Sequence, residues 1–313
     1  MGDMSSAAAQ HDEGADALGP QLPPGRRLEL PGRGTTFIRD LEGPPGAPAL
    51  VLLHGLSATA DLNWFPSFFP LGRHFRVVAI DHRGHGRGIR SVRRFRLSDC
   101  ADDVAAMADV LGIDRFIPVG YSMGGPIAQL LWKRHADRVA GLVLCATSRN
   151  FGGRPPERAF FSMLPFLSAA ARMTPAPVWR GVTGRVLALR DDDPPLRQWV
   201  ISEMRHTDPR AVIEAAHAIG RFSSHEWAGE IDVPTAVVVT ARDRLVPPSR
   251  QLKLAHAIPG ATVHPVHGDH GACVVDAHRF VPVLVDACRS VASRSITGRS
   301  VTGRSVTERA RQD

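Results

Sequence analysis

Three kinds of side chain in this sequence could together make a hydroxyl reactive. Ser122 stands in VGYSMGG (119–125), between Gly120 and Gly124. Asp243 stands in ARDRLVP (241–247), and His267 and His270 stand in HGDHGA (267–272). A serine hydroxyl is a poor nucleophile near neutral pH, so it needs an imidazole to take its proton and a carboxylate to orient that imidazole. With 29 glycines in 313 residues, glycine-x-serine-x-glycine alone says little. The elements around it carry the weight.

Ser122 follows the β-branched run RFIPV (115–119) and precedes MGGPIAQLLWKRH (123–135). In the latter, Ile127, Leu130 and Leu131 recur at helical spacing, and Pro126 sits in the first turn, where a missing N–H does no harm. Strand, tight turn and helix are what a nucleophile elbow needs, with glycines two residues either side preventing backbone collision. Further strands are predicted at 49–53, 76–80, 141–145, 235–240 and 261–266, each reading as buried on both faces. Asp243 falls just past the end of TAVVVT (235–240), and the two histidines just past ATVHPV (261–266). The chain order is then Ser122, Asp243, His270. LSDCADDVAAMADVLG (97–112) reads as a helix with Ser98 as N-cap and Gly112 at its end. Alternating strands and helices predict an α/β fold, a mostly parallel central sheet with helices on both faces. The alternation breaks between Thr147 and Glu230, where Phe160, Phe161, Phe166, Trp179 and Trp199 replace strand signals. Amphipathic helices are expected there near 196–206 and 209–222. An insertion of this size would sit over the carboxyl end of the sheet as a lid and roof the site.

The composition, 43% hydrophobic and 22% charged, is that of an ordinary globular protein. The net charge of +7 comes almost wholly from dispersed arginines, with Lys133 and Lys253 the two lysines, and no recognition motif accompanies them, so no nucleic-acid partner is expected. Cys100, Cys145, Cys273 and Cys288 lie far apart and form no C-x-x-C pair or Cys/His metal spacing, which reads as a reduced, cytoplasmic protein. No secretory signal and no apolar stretch of membrane-spanning length is visible. Residues 1–26 and 292–313 read as disordered tails, the latter a near-repeat without an apolar face.

Beyond the elbow, the chain carries LLHGLS (52–57), DHRGHGRG (81–88), IDVPTAVVVTARDRLVP (231–247) and GDHGA (268–272). In these it resembles the α/β-hydrolase fold superfamily, in the capped branch of serine hydrolases that includes esterases, lactonases and haloperoxidases, over roughly residues 35–290. The resemblance implies a catalytic triad of Ser122, Asp243 and His270, and an oxyanion hole from the backbone N–H groups of Leu56 and Met123. It implies a core of residues 27–147 and 231–291 with a helical cap at 148–230, and no metal or organic cofactor. Gly55 would let the backbone approach the substrate. Trp64, with Phe65, Phe68 and Phe69, would offer an apolar acyl pocket. The expected reaction is hydrolysis of an ester, lactone or similar small carbonyl compound through an acyl-enzyme on Ser122. Carbon–carbon bond hydrolysis, acyl transfer and perhydrolysis use the same constellation, and a non-catalytic ligand receptor is the reading from another class. The oligomeric state is left open.

Two departures accompany the likeness: Thr240 stands where such proteins often have glycine, and Gly88 where they often have a small polar residue. His267 competes with His270, though glycine-x-histidine spacing favours the latter, and Asp269 is the rival acid. His54 and His85 read as structural hydrogen-bonders and Cys273 as a small buried hydrophobe. The run RGHGRGIRSVRRFR (83–96) reads as a solvated surface loop, with the sharper alternative that some of its arginines meet an anionic substrate.

Overall fold

The computed structural model describes residues 19–152, 161 and 194–309. Among them an eight-stranded sheet runs in the order β1-β2-β4-β3-β5-β6-β7-β8. The strands are β1 (Gly25–Leu30), β2 (Gly34–Leu41), β3 (Ala49–Leu53), β4 (Arg76–Ile80), β5 (Phe116–Tyr121), β6 (Leu142–Cys145), β7 (Thr235–Thr240) and β8 (Thr262–Val266). β2 pairs antiparallel with β1 and β4, and all other neighbours are parallel. β5 and β7 are buried at every residue, as strands covered on both faces must be.

The helices are α1 (Ala60–Trp64), α2 (Phe68–Gly72), α3 (Leu97–Val110), α4 (Gly124–Arg134), α5 (Pro194–Arg205), α6 (Pro209–Arg221), α7 (Pro248–Ala257) and α8 (Ala277–Arg309). Alternation along β3 sends Val51 and Leu53 to one core, with Val104 of α3, Ile127 of α4 and Leu254 of α7. Leu50 and Leu52 enter the opposite core, with Trp64, Phe68 of α2, and Phe280 and Leu284 of α8. Three layers result, and the loops at the carboxyl ends of the parallel strands are free to build a site.

The sheet gains a hairpin that the sequence reading missed. β1 and β2 turn through Gly32 and Gly34, both at positive φ, so Gly25 and Arg26 belong to a strand and not to a leading tail. The expectation for residues 1–18 lies outside the described residues. At the other end, the 292–313 tail is corrected through Arg309: α8 continues to that residue. Ala292 is buried and the Ser295 hydroxyl donates to the Ala140 carbonyl at 2.6 Å. A helix already nucleated on Phe280, Leu284 and Val291 extends at little further cost, because each added residue contributes its own hydrogen bond. Within α3, Ser98 lies inside the helix and Arg96 takes the N-cap position.

Between β6 and β7, α5 and α6 are described, whereas Phe160, Phe166 and Trp179 lie outside the described residues. Both helices pack on the loop after β4. The Asp208 N–H donates to the Gly84 carbonyl at 2.9 Å, and Glu214 accepts from the Phe95 N–H at 2.9 Å. Glu203 of α5 is buried against Thr59 and Arg87, accepting from the Thr59 hydroxyl at 3.1 Å and from Arg87 at 3.4 Å. Arg87 also pairs with the buried Asp61, which Arg39 grips through two hydrogen bonds. Asp61 is buried, but these guanidinium groups hold its carboxyl below the usual range.

Burial pushes the Glu203 carboxyl up to about 7, against the pull of Arg87. The unfolded chain releases this proton near pH 4.5, so between those values the folded protein holds a proton that the unfolded one has lost. Stability therefore falls as pH rises from about 4.5 to 7, by about 3 kcal/mol for this group. Glu203→Gln is expected to flatten that slope in urea unfolding midpoints measured from pH 5 to 8. Asp81, raised in the same direction by burial, remains in the variant, so part of the slope is expected to persist there. Parallel profiles would remove it as the source.

Candidate active site

Ser122 sits at the end of β5 with φ of +51°, a left-handed conformation that a non-glycine residue holds only when its surroundings enforce it. Its N–H donates to the Cys145 carbonyl at 2.9 Å, and its carbonyl accepts from the Gly125 N–H at 3.0 Å and from the Thr147 hydroxyl at 2.8 Å. The flanking glycines are obligatory here: a Cβ on Gly120 would fall on the Gly124 backbone, and one on Gly124 on the Leu53 carbonyl. The motif is thus a packing requirement of β3, β5 and α4, and it leaves the serine side chain standing clear of the strand.

Three loops converge on it. His270 Nε2 lies 3.0 Å from Ser122 Oγ, and His270 Nδ1 lies 2.7 Å from Asp243 Oδ2. The Asp243 side chain is fully buried, whereas that of His270 keeps 22% exposure. Asp243 Oδ1 accepts from the backbone N–H groups of Leu245 and Val246 at 2.9 and 2.8 Å. Its Oδ2 also accepts from the Thr240 hydroxyl at 2.9 Å and from Gln251 Nε2 at 3.3 Å. Every group facing the carboxylate is a donor, which suits the ionised form and leaves Nδ1 of His270 carrying its proton. Nε2 is then the lone-pair nitrogen facing the serine. Such an arrangement can draw the hydroxyl proton away as the oxygen attacks.

The rivals fall elsewhere. His267 and Asp269 are both exposed, and Asp269 accepts from the Gly271 N–H at 2.7 Å. His54 and His85 are buried, and burial lowers them to about 4 and about 3, so both are neutral near pH 7. His54 donates from Nδ1 to the Gly55 carbonyl at 2.8 Å and accepts from the His82 N–H at 3.0 Å, tying the two loops together. Burial pushes the Cys273 thiol up to about 12, which keeps it uncharged.

The loop after β3 is held by Asn63 Oδ1, which accepts from the Gly55 N–H at 2.9 Å. A Cβ on Gly55 would stand 3.4 Å from Ser122 Cβ, over the nucleophile. Among the described residues, the N–H groups of Leu56 and Met123 have no acceptor. Asn63, Thr240, Gln251 and Thr147 escaped the sequence reading. Thr240 was visible as a departure, but its hydroxyl's position on Asp243 depends on the turn that follows β7.

Two expectations are corrected. Trp64 is fully buried beneath the loop, edge-on to Tyr121 at 6.1 Å, so it offers a substrate no surface. Phe68 is likewise buried and Phe69 lies at the surface, while Phe65 packs edge-on against Trp199 of α5 at 5.3 Å. The arginine run is only partly a solvated loop. Arg83 grips Asp103 with two 2.7 Å bonds and Arg87 is committed to Asp61, whereas Arg93, Arg94 and Arg96 are exposed.

Comparison with known proteins agrees with this architecture. The family described as "alpha/beta hydrolase fold" matches residues 48–277, and the chain belongs to it. At 30% identity it is similar to the "Putative carbamate hydrolase RutD" of Caulobacter vibrioides, over 79% of this chain and 93% of that one. Among solved structures, the enol-lactonase from Burkholderia xenovorans LB400 superposes with a TM-score of 0.64 at 25% identity, covering 84% of this chain and 99% of that one. A hydrolase from Pseudomonas aeruginosa PA01 reaches 0.71 at 23% identity, covering 84% and 98%. The chain is accordingly an enzyme of the α/β-hydrolase kind. Among the described residues, no helix is long and apolar enough to cross a membrane.

Proposed function

We propose that this protein is a serine hydrolase that cleaves an ester, lactone or related small carbonyl compound through an acyl-enzyme on Ser122. The observation that carries the reading is the unbroken hydrogen-bond chain from Asp243 through His270 to Ser122, together with two backbone N–H groups, of Leu56 and Met123, that have no acceptor among the described residues. Ser122 Oγ attacks the carbonyl carbon while His270 Nε2 takes its proton. Asp243 holds Nδ1–H and stabilises the imidazolium that forms. The N–H groups of Leu56 and Met123 receive the developing oxyanion, each contributing about 3 kcal/mol to the transition state. His270 then returns the proton to the leaving group, and water opens the acyl-enzyme by the same steps.

The helices α5 and α6, between β6 and β7, act as a lid. The support for this is their packing on the loop after β4, at the carboxyl end of the sheet. The names of the relatives, a carbamate hydrolase and an enol-lactonase, support a carbonyl substrate.

A fluorophosphonate probe tests the reading. It is expected to add one equivalent, to place the adduct on the peptide containing Ser122, and to stop hydrolysis of p-nitrophenyl butyrate in step with labelling. An unlabelled, folded protein would exclude an activated Ser122.

A further inference from the structure

Beside Asp243, and sharing His270 with the hydrogen-bond chain, lies a groove of about 840 Å³. It is lined by Arg242, Arg244 and Leu245 from the loop after β7, and by Asp269, His270, Gly271 and Val275 from the loop after β8.

The two arginines flank Asp243 in sequence. Among the described residues neither guanidinium has an ion-pair or hydrogen-bond partner, unlike Arg39, Arg76, Arg83 and Arg87, each of which grips a carboxylate. Guanidinium forks match a carboxylate in two parallel hydrogen bonds. Asp269 brings one opposing charge, and its Oδ1 is already engaged by the Gly271 N–H. The groove is thus left with one net positive charge, which suits a monoanion. Leu245 and Val275 are 72% and 62% exposed, leaving apolar surface beside the charge.

His270 is the residue that the groove shares with the hydrogen-bond chain to Ser122. His270 must come within hydrogen-bond reach of the leaving atom to return the proton, so the leaving group is the portion that lies against the imidazole. We propose that this groove is the leaving-group subsite and selects substrates whose leaving group carries a single carboxylate on an apolar spacer, held by Arg242 and Arg244. The inference rests on Ser122 and His270 acting as described above.

A matched pair of substrates tests it: 4-acetoxybenzoate, whose leaving group is anionic, and methyl 4-acetoxybenzoate, whose leaving group is neutral. The ratio of kcat/KM for the anionic over the neutral ester is expected to fall about ten-fold in Arg242→Gln/Arg244→Gln, chiefly through KM, as two charge-assisted bonds are lost. Asp269→Asn is expected to raise the same ratio a few-fold. A ratio unmoved by the arginine substitutions overturns the proposal. Binding of 4-hydroxybenzoate to the Ser122→Ala protein, followed by calorimetry, decides the matter without turnover. About ten-fold weaker binding on adding the arginine substitutions supports the subsite, and absence of binding overturns it. Fluorophosphonate labelling separates the two claims: an unlabelled protein that still binds 4-hydroxybenzoate through the arginines keeps the groove and loses the serine mechanism.

Discussion

Ser122→Ala is expected to lower kcat for p-nitrophenyl butyrate by 10⁴-fold or more, on the order of what removal of a serine nucleophile does elsewhere, while leaving the fold intact. The hydroxyl's partner among the described residues is His270 Nε2, so its removal takes one half-exposed hydrogen bond from the folded state. The backbone bonds to Cys145, Gly125 and Thr147 do not involve the side chain. Alanine also carries the same Cβ into the left-handed conformation, so the strain at φ +51° is unchanged. Unfolding free energy should stay within about 1 kcal/mol of the parent. Hydrolysis surviving at more than about a hundredth of the parent rate would place the nucleophile elsewhere.

Asp243→Asn is expected to lower kcat on the order of 10⁴-fold, for a reason visible in the hydrogen bonds. The carboxylate meets donors alone: two backbone N–H groups on Oδ1, and Thr240, Gln251 and His270 on Oδ2. An asparagine that keeps its oxygen on the Leu245 and Val246 N–H groups must turn its NH₂ toward Nδ1 of His270. That nitrogen then becomes the acceptor and the ring proton moves to Nε2, where it points at Ser122 and cannot receive its hydrogen. Fluorophosphonate labelling should slow in parallel with ester hydrolysis, since both need the same proton transfer. The NH₂ also faces the donors Thr240 and Gln251, so a loss of about 1–3 kcal/mol in stability is expected alongside. A drop in kcat below ten-fold would show that Asp243 does not set the tautomer.

The inner strands were legible where burial on both faces left no choice of residue; β8 was legible by its apolar run but, as an edge strand, is buried at Val266 alone and not on both faces as expected. The predicted β3, β4 and β7 match the structure end to end, and β5, β6 and β8 shift by one or two residues. The β1–β2 hairpin was missed because its strands lack the continuous apolar run that marked the others: β1 is buried at Leu30 alone, and the buried stretch of β2 includes Thr36 and Arg39. Trp64 illustrates a different limit. A tryptophan close behind the glycine loop reads equally well as a pocket wall or as a floor, and only the packing of α1 against Tyr121 puts it beneath the surface.

Short-range rules determined which groups could react: runs of β-branched residues placed the strand ends, and steric demand between β3, β5 and α4 wrote glycines around Ser122. Those constraints act within a few residues or between neighbouring strands, so they leave a readable trace. Tertiary structure alone decided how the groups are tuned. Thr240 and Gln251 reach Asp243 through the turn into α7, Asn63 braces Gly55 from α1, and Glu203 meets Arg87 across 116 positions of chain. A hydrogen bond constrains direction and distance in space, and neither leaves a periodicity in the chain.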